Sequence, residues 1–580
     1  MQIIYLAYNR WSMQTPPTFK SKNFAVQAVL VAVIFIIGFV IYVPIWPVFP
    51  YSPYPLDAGW VLGLNQAVSQ HLVFGKNIIF TFGPYASIYT REYSPETAYI
   101  MFGGSLLIAV AFCFSLLCLA KNSSKLLFVF LVLIIPVAYT QSPDTQFVAT
   151  KLPDTQFIAL SFLALALICQ VADNTKFKEV PSFFFKITFF LLILALGLFP
   201  LIKATFGICA YVVVLIAFVL LLNRKKFITA FGVIGLFLGW VVVLWAVAGQ
   251  PVHDLPNFFV AQLPIISGYT SAMSISSSWW RPWLFVIICF FVWFFGNQKL
   301  NIQNDAQLAL AVGSALILFL AFKEGFVRDD MHRFVAGGVL AIAGTFFFLA
   351  YRSPLTLVAC VVGITGCLIF NFHYFGFQKF STNARAIVAI IKNPNLYSSE
   401  YDESLEQIRE TLALPRLSGT TDIYSWGQLA LLASGSKWNP RPVFQSYSAY
   451  TPALIEENKR HLIGPNAPQN IFFEVQSIDN RLPSLADGAS WPLLLADYQF
   501  KGLYGNGEIA LLERRTSPAT TKITPLSSGF YKPNTMIEIP KDVPFAWANI
   551  VVKPTFWGGF PEFSSNHRNL IFAMCFKMVM

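Results

Sequence analysis

Charge is what this sequence has least of. Of its 580 residues only 12% are Asp, Glu, Lys or Arg, against about a quarter in an ordinary soluble domain. That scarcity excludes a soluble enzyme and a disordered chain. Cysteine is present but forms no framework. Cys113, Cys118, Cys169, Cys209, Cys289, Cys360 and Cys367 lie in apolar runs and Cys575 near the end, so no disulfide set or metal-ligand spacing is visible. There is no nucleotide-binding glycine loop, Walker motif, nucleophile elbow or HExxH, which argues against a primary pump. What the sequence does have is 56% hydrophobic residues, 16% aromatics and 58 phenylalanines. This composition describes a polytopic α-helical membrane protein.

A spanning helix needs about twenty apolar residues. Candidate spans fall near 24–46, 98–120, 124–141, 155–172, 187–201, 204–223, 227–248, 282–297, 306–322, 334–350 and 354–372, about 11 transmembrane helices. The first is long, is preceded by more than twenty residues and is followed by Pro44, Pro47 and Pro50, which is unlike a cleaved signal peptide. Arg10, Lys20 and Lys22 precede it. Lys121 and Lys125, then Lys176, Lys178 and Lys186, then Arg224, Lys225 and Lys226, then Lys299, then Arg352 recur at every second turn. The expectation is a bacterial inner-membrane protein. Positive loops stay inside, so residues 1–23 are expected to be cytoplasmic, with an exterior loop at 47–97 and everything after 372 outside. The net charge of +11 belongs mostly to the membrane half, +9 up to residue 372 against +2 beyond it. It therefore orients loops, and a nucleic-acid partner has no support.

The exterior loops carry more chemistry than anchoring needs. The loop 323–333 packs Lys323, Arg328, His332 and Arg333 beside Glu324, Asp329 and Asp330. Arginine supplies bidentate donors to a phosphate or pyrophosphate. Asp329 and Asp330 can orient these bases or hold a divalent cation through oxygen ligands; a salt-bridge network at the interface is the plainer alternative. Lys203 sits between two apolar runs near the exterior face, as a phosphate contact or an interfacial anchor. His253-Asp254 lacks metal-ligand spacing, and Trp279 and Trp280 suit an interface belt. Pro143-Asp-Thr-Gln-Phe147 recurs as Pro153-Asp-Thr-Gln-Phe157, and proline followed by an acid suits the first turn of a helix.

In the first exterior loop, Tyr51-Ser-Pro-Tyr-Pro-Leu-Asp57-Ala-Gly-Trp60 leads into an amphipathic stretch to His71, expected to lie along the membrane surface, then Gly75-Lys-Asn-Ile-Ile-Phe-Thr-Phe-Gly-Pro84. With its many spans and C-terminal exterior unit, the chain here resembles the GT-C superfamily of membrane glycosyltransferases. That superfamily includes oligosaccharyltransferase catalytic subunits, protein mannosyltransferases and the aminoarabinose transferases of lipid A. The resemblance implies a polyprenyl-phosphate-linked sugar as donor and Asp57 as the catalytic carboxylate acting on a glycan, lipid or protein acceptor. Many members have two adjacent acids at this point, whereas Asp57 stands alone between Leu56 and Ala58. Independently, sugar transfer from a phosphate needs a base or an orienting carboxylate at the membrane surface, which is where Asp57 falls. Capping of the helix that begins near Ala58 is the structural alternative.

Beyond residue 372 the pattern becomes that of a C-terminal exterior α/β domain, 373–530. Strands are expected at Thr421–Tyr424 and Asn470–Glu474, helices at Gln428–Ala433 and Pro452–Leu462, and a hairpin (Gly502–Tyr504, Ile509–Leu512) around Gly505-Asn506-Gly507. Arg441–Tyr450 reads as a packed strand-to-helix junction, or as an acceptor-binding one. A short β-rich end covers 531–580, including Met536–Ile539 and Ala548–Lys553. Its unpatterned tail, Ser564–Met580, has the look of a truncated or frameshifted end. The expected function is an inverting glycosyltransferase. A transporter or flippase of a lipid-linked or polar solute is the first alternative, an O-antigen ligase-like or polymerase-like protein the second, and a non-catalytic subunit of envelope-glycan assembly the third.

Overall fold

The computed structural model describes residues 21–51, 55–120, 154–173, 183–275, 278–298, 300–330, 332–351, 353–371, 378–479, 481, 483–517 and scattered positions between 526 and 538. In chain order its helices are α1 (Ser21–Tyr42), α2 (Pro55–Ser69), α3 (Ala86–Thr90), α4 (Ala98–Ala120), α5 (Asp154–Asp173), α6 (Phe183–Ile202), α7 (Ala204–Asn223), α8 (Phe227–Val247), α9 (Leu255–Met273), α10 (Trp280–Gly296), α11 (Asp305–Phe326), α12 (Arg333–Tyr351) and α13 (Pro354–Asn371). Among the described residues, six helices are long and apolar enough to cross a membrane: α4 to α8 and α11. Among the residues whose side chains are described, the apolar parts of α1, α10, α12 and α13 are shorter. The 17 residues of α10, at about 1.5 Å each, fall short of a hydrocarbon core of about 30 Å. The expected span at 124–141 lies outside the described residues, so the count of eleven is not reached.

The helix ends segregate to two faces. On the lower face Arg224 pairs with Asp305 at 3.1 Å, and Gln298 donates to Ser353 at 2.9 Å. There the Asn304 side chain caps α11, accepting from the amides of Ala306 (3.0 Å) and Gln307 (3.2 Å). On the upper face the ends of α6 and α11 meet the start of α5. Between helices the packing is close: a methyl group on Gly344 of α12 would strike the Ala359 carbonyl of α13, so a small residue lets the two backbones touch.

After α13 come α14 (Gln378–Lys392) and α15 (Leu396–Leu412), then a mixed sheet. Its strands are β1 (Thr420–Tyr424), β2 (Lys437–Trp438), β3 (Asn470–Glu474), β4 (Tyr498–Tyr504) and β5 (Ile509–Arg514), in the order β2-β1-β3-β5-β4. β1 runs parallel to β2 and β3, with Ile423 opposite Phe472. β5 runs antiparallel to β3 and β4, with Leu511 opposite Phe472. The connecting helices are α16 (Gln428–Ala433), α17 (Pro452–Ile463) and α18 (Trp491–Asp497). Thr451 caps α17, its hydroxyl accepting from the Leu454 amide at 3.4 Å, ahead of Pro452. The β-rich stretch expected after 535 falls almost wholly outside the described residues.

The helix expected along the membrane surface, α2, lies elsewhere. Ala58, Trp60, Val61, Leu62, Leu64, Ala67 and Val68 are all buried. Ala58 and Leu62 pack with Leu429 and Ala433 of the C-terminal unit, and Trp60 stacks on Phe82. Both faces of α2 are apolar, so it is sandwiched between the helical bundle and that unit. Asn65 on α2 holds it in place, donating to the buried Glu92 at 3.3 Å and accepting from Thr97 at 3.0 Å.

The C-terminal unit is organised around Arg441, which has no exposed side-chain surface. It donates to Asp422 (2.8 Å), the carbonyls of Ile423 and Ser425 (both 2.8 Å) and Ser446 (2.8 Å), and lies over the Tyr424 ring at 3.6 Å. The segment 441–450 is thus the packed junction its sequence suggested.

Two measurements check these supports. Arg441→Ala leaves Asp422 and Asp487 buried without their cation, which costs about 3–5 kcal/mol; thermal unfolding of the purified protein in detergent should show the C-terminal unit melting earlier. Burial pushes the Glu92 carboxyl up to about 8, against the Asn65 hydrogen bond. The native state therefore holds a proton that the unfolded chain has released, and stability falls as pH rises from the ordinary carboxylate range through about 8. Glu92→Gln should flatten that decline in Tm.

Candidate functional site

The upper face is built around the turn between α6 and α7. Pro200 sits in the last turn of α6, and Lys203 adopts an extended backbone (φ −149°, ψ 140°) before α7 starts. This one extended residue pairs with the loop that follows α2: Gly83 and Tyr85 donate to the carbonyls of Ile202 and Leu201 (both 3.0 Å), and Ala204 donates to Thr81 at 3.3 Å. Any side chain at Gly83 would collide with the Leu201 carbonyl.

The Lys203 ammonium donates to Asp154 at 2.7 Å and to Glu324. Tyr89 donates to the other Asp154 oxygen at 2.8 Å, and Thr205 donates to Glu324 at 3.3 Å. The rings of Phe82, Tyr89 and Phe206 lie 5.2 to 5.7 Å from the ammonium. One cation and two carboxylates thus meet below the surface, the Asp154 side chain completely buried and Glu324 partly so. Asp154 does open α5, as the proline-acid pattern implied, but its carboxylate serves Lys203. The first copy of that pattern lies outside the described residues.

A second group hangs from the α11–α12 connection. Arg328 grips Asp479 of the C-terminal unit through two hydrogen bonds of 2.8 and 3.1 Å, and its Nε reaches Asp330 at 3.3 Å. His332 approaches Asp330 through Nδ1 at 2.5 Å and through its amide at 3.0 Å. Burial works against ionisation of Asp330, but the His332 hydrogen bond and the charges of His332 and Arg328 hold its carboxyl well below the usual carboxylate range.

Asp57, in the first turn of α2, lies within electrostatic reach of this group. Its carboxylate accepts from the Trp60 indole at 3.0 Å. Burial pushes its carboxyl up, against the Trp60 hydrogen bond and the charges of His332 and Arg328. Tyr447, on the junction ordered by Arg441, feels Asp57, Tyr269, Arg328 and Asp479. Tyr269 on α9 feels Glu324, Lys203, Arg328 and Asp330, and burial pushes its phenol up to about 12. Asp57, Arg328, Asp330 and His332 therefore form one electrostatic neighbourhood, and Tyr269 links it to Lys203.

Other expected site residues stand apart. Lys323 donates to Thr270 at 2.8 Å. Arg333 donates to the Asp330 carbonyl at 2.9 Å and lies 4.0 Å from Asp329. The fully buried Asp329 side chain also faces Arg281 at 3.5 Å. Both Asp329 and Asp330 are engaged by bases. Among the described residues no group of three or more His, Cys, Asp or Glu is placed to hold a metal ion. His253 pairs with its neighbour Asp254 at 3.3 Å, with its ring largely exposed.

Tyr89, Tyr269 and Asp479 belong to the site without having been singled out, whereas Asp154, Glu324 and Tyr447 lay in stretches already noted. Asp154 and Glu324 did carry a signal: each is an acid at the end of an apolar run, on the same expected side as Lys203. Chemically the arrangement offers a partly buried carboxylate with raised proton affinity in the electrostatic field of an arginine and a histidine. Comparison with protein-family models finds none that matches the chain, and a search of curated proteins returns no match.

Removing Lys203 strands two buried carboxylates, a loss of about 3–5 kcal/mol. Lys203→Met should therefore lower Tm sharply and reduce yield in detergent. Asp154→Asn combined with Lys203→Met should recover part of the loss, which a double-mutant cycle measures.

Proposed function

We propose that the protein is a membrane glycosyltransferase of GT-C type. It moves a sugar from a polyprenyl-phosphate donor to a glycan, lipid or protein acceptor on the outer face of a bacterial inner membrane. In this reading the N-terminus is cytoplasmic and the upper face and C-terminal unit are exterior. The observation that carries it is Asp57: a partly buried carboxylate whose proton affinity is raised, within electrostatic reach of Arg328 and His332 where the bundle meets the C-terminal unit.

In the reaction, Asp57 takes the proton of the acceptor hydroxyl as that oxygen bonds to the anomeric carbon. The bond from that carbon to the phosphate oxygen breaks, and the pair of electrons leaves with the lipid phosphate, inverting the anomeric centre. A raised proton affinity brings the carboxylate closer to the operating pH of a general base. Arg328, released from Asp479, and His332 offset the charge growing on the phosphate. Asp330 orients both through its contacts with them. Lys203 fixes the floor of the site through Asp154 and Glu324. Lys323 and Arg333 brace its walls.

The alternative of a transporter or flippase draws on the buried Lys203–Asp154–Glu324 group, since ionisable residues at membrane depth commonly mark pathways. The decisive experiment complements a deletion strain with wild type, Asp57→Asn or Arg328→Ala at matched membrane levels. Surface glycans and polyprenyl-linked sugars are then profiled by mass spectrometry. Asp57→Asn should fail to restore a lost glycan while a lipid-linked sugar accumulates, with activity down at least about a hundredfold. Full restoration by Asp57→Asn would reduce Asp57 to a helix-terminal acid and remove the transferase reading.

A further inference from the structure

Helix α14 joins the last apolar helix to the C-terminal unit, and both of its flanks are tied to the upper boundary of the bundle. Six residues separate its start from Asn371, where α13 ends on the upper face. Five residues past its end, at the start of α15, Tyr397 bonds to the Ile45 carbonyl and packs its ring against Trp46 and Phe49, just beyond the upper end of α1. A helix held this way runs along the boundary rather than through it.

Its surface is two-sided. Ala386 is buried, and α14 packs against α1. Ile387, Val388 and Ile391 share one side and are 46%, 53% and 76% exposed. The helix carries three bases, Lys379, Arg385 and Lys392, and no acid, and Arg385 and Lys392 are exposed. The next helix reverses the sign. Exposed Asp402, Glu403, Glu406 and Glu410 line α15, whose apolar side is covered by α2 and α16 through Tyr401, Leu405 and Ile408. A bare apolar stripe flanked by bases, at the level where apolar helices end, has the make-up of an interfacial helix. An acidic helix beside it is repelled from the same surface.

We infer that α14 is a lipid-docking helix that seats Ile387, Val388 and Ile391 among the acyl chains and sets Arg385 and Lys392 on anionic headgroups. This contact fixes the height and tilt of the C-terminal unit over the upper face. The occupant is an anionic lipid surface because charge complementarity and continuity with the lipid-facing surface of α1 and α13 both point there. The inference does not rest on the transferase reading.

Hydrogen exchange on the full-length protein in nanodiscs tests it. Amides of 385–392 should exchange more slowly in discs containing phosphatidylglycerol than in purely zwitterionic discs. Each base near an anionic surface contributes about 1 kcal/mol, so Arg385→Gln and Lys392→Gln should each reduce the added protection about fivefold. Ile387→Ser with Ile391→Ser should abolish protection in both lipids. Unchanged exchange in α4 and α7 shows that each variant is folded. Equal exchange in the two lipids overturns the proposal. So does protection that rises with protein concentration in detergent, which would assign the stripe to a second copy of the chain.

Discussion

A cation placed between two carboxylates in apolar surroundings must be shared by both, because either acid left alone there carries a penalty of several kcal/mol. Lys203 is that cation, and it stands at the tip of the α6–α7 hairpin. Its partners come from the start of α5 and the end of α11, and Tyr89 of α3 closes the group. Four parts of the chain, distant in sequence, are thereby fixed to one point. The backbone pairing of 81–85 with 201–204 does the same for the loop that follows α2. The upper face of the bundle is fixed by this one knot of charge.

Above that face the C-terminal unit acts as a second wall. Arg441 orders the junction that presents Tyr447, and Asp479 reaches down to Arg328. With both of its sides apolar, α2 binds the two walls together, so the position of Asp57 depends on the bundle and the C-terminal unit at once. Losing the packing of either would move the carboxylate, even with every polar partner intact.

Much of this was legible in the residues. Uninterrupted apolar runs gave the limits of α4 and α7 to the residue or nearly so, since nothing within them competes with helix. Asn470–Glu474 and Gln428–Ala433 also fell where propensity and turn signals placed them. The placement of α2 was missed, although Pro55–Ser69 has apolar residues on every side, the mark of a helix covered all round. Asp57, Arg328, Asp330 and His332 were visible as chemistry without a partner set. Tyr447 was visible only as part of the Arg441–Tyr450 junction, and Asp479 was not visible, because an aspartate in an ordinary α/β pattern acquires meaning only when tertiary packing carries it more than a hundred residues to Arg328.

The Arg328–Asp479 contact has a selective side. An anion that takes Arg328 must displace a carboxylate already seated in a two-point grip. A simple carboxylate ligand exchanges like for like and gains nothing. Under the proposed function a phosphate, with more charge and a third oxygen to offer His332, would gain from the exchange. The chain's own aspartate would then act as an internal competitor, screening out weaker anions.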